Sequence, residues 1–186
     1  MRGSMALGLL LSGLSLSPMV SNAQTRPSKN HLLPYDDADG YLVMSSIIDL
    51  RTNQWKTEPV LIFQHTIPGE RLDDLKNECH DRVPAEFQRA AEDFDTKAKT
   101  GFLLKERFSL QKKYMFVPAP TSNSVGVFSV SPVGFDETKT HAFVVVQYLV
   151  RPTNSILGGD TTFYLLRKTA TGWKEVTEIP KCGRIY

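Results

Sequence analysis

The chain of 186 residues is 41% hydrophobic and 23% charged, which is enough apolar material for one domain with its own core. Its 22 Lys and Arg nearly offset 20 Asp and Glu, leaving a formal net charge of +2. That balance speaks against a nucleic-acid partner, which needs a concentrated positive surface.

The first 23 residues carry a leader pattern. Arg2 supplies a positive start and Met5 to Ser17 a short apolar core, and Pro18 leads into Ser21, Asn22 and Ala23, a small-x-small cleavage site. The expectation is a secretory signal peptide cut between Ala23 and Gln24. Its apolar run is shorter than the roughly 18 to 20 residues that span a bilayer, so no membrane span is expected after leader removal. No Cys stands at the cut for lipid attachment. Export to the periplasm or beyond follows, into a compartment where disulfides persist.

Gln24 to Gly40 is polar, with Pro27, Pro34 and the acidic run Asp36, Asp37 and Asp39, and reads as an irregular arm. A single domain is expected over residues 41–186. In Tyr41 to Leu50, Tyr41, Met44 and Ile48 fit a helical stripe with Asp39 as N-cap, while the β-branched content also suits a strand. Val60 to Phe63, before Pro68 and Gly69, reads as a buried strand.

The clearest helix runs from about Pro84 to Lys99. It gathers Phe87, Ala90, Ala91, Phe94 and Ala98 on one apolar stripe and leaves Glu86, Arg89, Glu92, Asp93 and Lys97 toward water. The basic run Lys97, Lys99, Lys105, Arg107, Lys112 and Lys113 reads as a solvated edge, with a polyanion patch as the sharper alternative.

Beyond it come short β-rich runs at Tyr114–Val117, Val125–Val130, His141–Val150, Thr161–Lys168 and Trp173–Ile179, punctuated by Pro and Gly. Both alternation sets of the third are apolar, so that strand is expected to be central and covered on both faces. Thr169 to Gly172 reads as a hairpin loop. The fold class expected is α+β: a twisted antiparallel meander of four to five strands plus one earlier strand, with about two helices on one face. Val145, Phe94 and Trp173 are expected to share one core. Cys79 and Cys182, in an oxidising setting, are expected to form a disulfide tying the tail to the segment before the helix.

The stretch SPVGFDETKTHAFVVVQYLV and the later TTFYLLRKTATGWKEV carry a recognisable pattern in Ser131, Val133, Gly134, Phe135, Ala142, Gly158, Gly159, Leu165, Leu166, Lys168, Trp173 and Lys174. Together with Phe94, Lys97, Phe108 and Tyr114 upstream, this resembles a loosely defined family of exported bacterial proteins of unknown function. Members often carry cysteines near the glycine turn; Arg151 to Leu157 has none here. The resemblance implies export and a single α+β unit, and no activity.

Motifs for chemistry are sparse. Gly158 and Gly159 lie between two strands and read as a turn, because a phosphate loop needs glycines ahead of a helix. Asp36, Asp37, Asp39 and Gly40 resemble a calcium loop, but counting from Gly40 puts Tyr35 first and Ser46 twelfth where carboxylates are needed, so capping or a polar turn is the better reading. His31, His65, His80 and His141 show no metal-ligand spacing, and Glu78, Cys79, His80 and Asp81 read as a polar loop. A Cys79 nucleophile served by His65 or His141 is formally available, though the disulfide would consume Cys79, and no G-x-S-x-G elbow occurs. A carboxylate pair for glycoside hydrolysis cannot be picked from sequence, since its spacing is three-dimensional. No residue is therefore assigned to catalysis, a cofactor or a metal. The expectation is a non-catalytic binding, structural or envelope-associated accessory module whose partner is an unknown protein or envelope component. The alternative is a small extracytoplasmic hydrolase with its site between helices and sheet.

Overall fold

Asp37 starts the first helix. Its carboxylate accepts the Gly40 N–H at 3.3 Å, and α1 runs from Ala38 to Thr52, two residues earlier than a cap at Asp39 would allow and inside the segment expected to be irregular. In the computed structural model, residues 32–53, 59–67, 82–118, 126–150 and 158–180 are described. After β1 (Leu33–Pro34) and α1 come β2 (Val60–Phe63) and a 3-10 turn (Ala85–Phe87) leading into α2 (Gln88–Ala98). The strands that follow are β3 (Phe102–Leu103), β4 (Tyr114–Val117), β5 (Val127–Val130), β6 (Gly134–Phe135), β7 (His141–Val150), β8 (Gly158–Thr169) and β9 (Gly172–Pro180). The described residues form a single α+β domain. Among the described residues no helix is long and apolar enough to cross a membrane.

Among the described residues the main sheet has seven strands in the order β4-β2-β5-β7-β8-β9, with β6 pairing β7 beyond the end of β5, and β1 and β3 form a small parallel pair. From β5 onward all pairings are antiparallel, as the meander reading expected. The other half differs. β2 inserts between β4 and β5 and is parallel to both, so the sheet is mixed. The reason is the connection: β2 reaches β4 through α2, and a crossover through a helix is what parallel neighbours require.

The two helices lie on opposite faces of the sheet, which corrects the one-face expectation. Ala142, Val144 and Val146 of β7 join α1 residues Val43, Met44, Ile47 and Ile48 in one buried cluster. Phe143 and Val145, pointing the other way, join Phe87, Ala90, Ala91, Phe94 and Ala98 of the α2 region in a second. A strand apolar on both alternation sets needs cover twice, and each helix supplies one layer. Trp173 belongs to the α1 side and Phe94 and Val145 to the α2 side, so these three do not share one core as expected.

Two local devices shape the layers. Gly134 on β6 lies directly beneath α2, where a Cβ would collide with the Ala90 carbonyl and the Phe94 backbone. At the break between β5 and β6, where Pro132 has no N–H to give, Ser131 bridges to β7. Its N–H reaches the Val145 carbonyl at 2.9 Å, and its Oγ accepts the Val145 N–H at 2.9 Å. α1 is held on its other flank by the irregular segment 104–113. The side chains of Tyr41, Ser45 and Asp49, four residues apart and so on one helix face, accept the backbone N–H groups of Lys105, Ser109 and Gln111 at 2.7, 2.9 and 3.0 Å.

Candidate functional site

The acidic run at the start of α1 becomes an electrostatic hub. Asp36 pairs with Lys105 at 2.6 Å and Arg107 at 3.3 Å, Asp37 with Lys139 at 3.4 Å and Lys97 at 3.8 Å, and Asp39 with Lys168 at 3.1 Å and Lys139 at 3.5 Å. Five bases from four separate parts of the chain thus converge on three neighbouring aspartates, the use to which the calcium-like spacing is put. The hydrogen bond from Lys105 holds the Asp36 carboxyl below its ordinary range, and that from Lys168 does the same for Asp39. Aromatic rings floor the hub. The ammonium groups of Lys97 and Lys139 each lie 5.2 Å from the Phe135 ring centre, and Lys168 lies 5.5 Å from that of Trp173.

Beside the hub is the turn between β6 and β7, where Asp136 faces His141. Oδ1 accepts the N–H groups of Thr140 and His141 at 2.7 and 3.0 Å. Oδ2 takes the hydroxyls of Thr138 and Thr140 and the imidazole Nδ1 of His141 at 2.9, 2.8 and 3.0 Å. Burial by itself would raise this carboxyl, but the His141 and Thr140 hydrogen bonds outweigh it and hold Asp136 well below the usual carboxylate range. Facing an ionised carboxylate, Nδ1 is the protonated ring nitrogen. The imidazole stands edge-on to Phe87 with centroids 4.9 Å apart, and the turn brings Lys139 to a left-handed φ of 52°. A groove of about 470 Å³ runs between this turn and α2, with Arg89, Glu92, Lys97, Phe135, Asp136 and Lys139 among its walls.

In comparisons with protein-family models, curated proteins and solved structures, no match to this chain is found.

A second polar cluster lies at the opposite end of α1. The pairing of β8 with β9 shifts register between Leu165 and Leu166, setting Glu175 opposite Leu166 and Glu178 opposite Tyr164. Leu166 and Tyr164 both face α1, so the bulge turns two glutamates three residues apart onto one face. Arg51, at the last turn of α1, pairs with Asp160 at 2.9 Å. Burial, then repulsion from Glu178, pushes the Glu175 carboxyl up, while Arg51 opposes the rise.

The remaining sequence candidates fall as follows. His65 bridges to Leu103 at the end of β2 and stands edge-on to Phe63, with ring centroids 5.5 Å apart, a boundary residue as read from sequence. Cys79, Cys182, Ala23, Gln24, His31 and His80 lie outside the described residues, so the disulfide and the cleavage site are not observed. Among the described residues no three His, Cys, Asp or Glu side chains gather where they could hold one metal ion. Sequence reasoning passed over Asp136. The available signal was an Asp followed by Thr138, Thr140 and His141, an acceptor ahead of closely spaced donors, which is how turns of this kind are written.

Proposed function

We propose that this is an exported, non-catalytic accessory protein that serves as a binding or structural module outside the cytoplasm. Export rests on the leader pattern of Arg2, the Met5–Ser17 run and Ala23, and on the resemblance to exported bacterial proteins. The non-catalytic reading rests on one observation. The acid–histidine pair a hydrolase would use for proton transfer, Asp136 and His141, is committed to its own turn, with five hydrogen bonds converging on the carboxylate. A catalytic carboxylate orients its histidine toward a substrate group; here Thr138 and Thr140 are drawn into the same carboxylate as the imidazole. Cys79 and Cys182 are proposed to pair in the oxidising compartment.

The competing reading, a small hydrolase, draws on Glu175 and Glu178, since a raised carboxyl beside a second one is the arrangement of a general acid and its partner. A turnover screen with ester, peptide, glycoside and phosphate substrates, with and without zinc or calcium, separates the two. We expect no activity above buffer. Activity that copurifies with the protein and disappears in Glu175→Gln, or in His141→Ala, overturns the non-catalytic reading.

A further inference from the structure

We draw no further inference here: the strongest candidate, the groove of about 550 Å³ beside β4 at the end of the main sheet, lined by Leu110, Lys113, Tyr114, Met115 and Phe116, is an unpartnered surface with nothing in the structure to show what covers it.

Discussion

At Asp136 five donors meet one carboxylate, and the consequence is a defined response to acid. The folded-state value lies below that of an unfolded Asp, about 3.9. The stabilisation is therefore complete above about pH 4 and is lost as pH falls through the lowered folded value. Asp136→Asn should lose about 1.5–3 kcal/mol at pH 7 and should show a shallower fall in stability below pH 4, both read from urea unfolding at stepped pH. An unchanged acid slope would mean that other carboxylates carry the effect. Glu175 behaves in the opposite sense. Its folded value is raised, so its contribution favours the fold below the unfolded value of about 4.3 and is lost as pH rises through the folded one. Glu175→Gln should then raise the melting temperature at pH 7 by about 1–2 °C, a small gain because solvent screens the site. A fall in melting temperature would show that Arg51 depends on this carboxylate.

The helices and strands test the two-faced packing. Phe94 is buried on α2 with its ring 4.9 Å from that of Phe143, and Phe94→Ala should cost about 3–5 kcal/mol. Trp173 packs on the other face against Phe135, with ring centroids 5.5 Å apart. Because the two clusters lie on opposite sides of the sheet, the penalties of Phe94→Ala and Trp173→Phe should add within about 0.5 kcal/mol in chemical denaturation. Clear non-additivity would put them in one core after all. Gly134→Ala should cost about 1–3 kcal/mol, as any Cβ there drives into the α2 backbone. The stripe of α2 was legible in sequence because period and burial agree, and β7, β8 and β9 were legible from their β-rich runs and the Thr169–Gly172 loop, whereas Gly158 and Gly159, read as a turn, open β8 and pair with Val150 and Leu149. The place of β2 was not. A four-residue apolar run shows that a strand exists, but nothing in Val60–Phe63 states which neighbours it takes or in which direction.

For the whole molecule, the residues richest in chemical potential serve the architecture. The aspartate run ties the start of α1 to Lys97, Lys105, Arg107, Lys139 and Lys168, and Asp136 with His141 closes the turn beside it. Sequence could identify Asp36, Asp37 and Asp39 as a cap or polar turn, since that property is local. It could not identify their partners, which arrive from as far as 129 residues away in the case of Lys168 and Asp39. Likewise His141 stood out as one of four scattered histidines, while its role depended on Asp136 folding back across a tight turn. The central claim is that this pair is a clamp holding the fold. A double-mutant cycle on folding stability, combining Asp136→Asn and His141→Ala, measures that directly. The account predicts a coupling of about 1 kcal/mol or more between the two positions; a coupling below about 0.3 kcal/mol would contradict it.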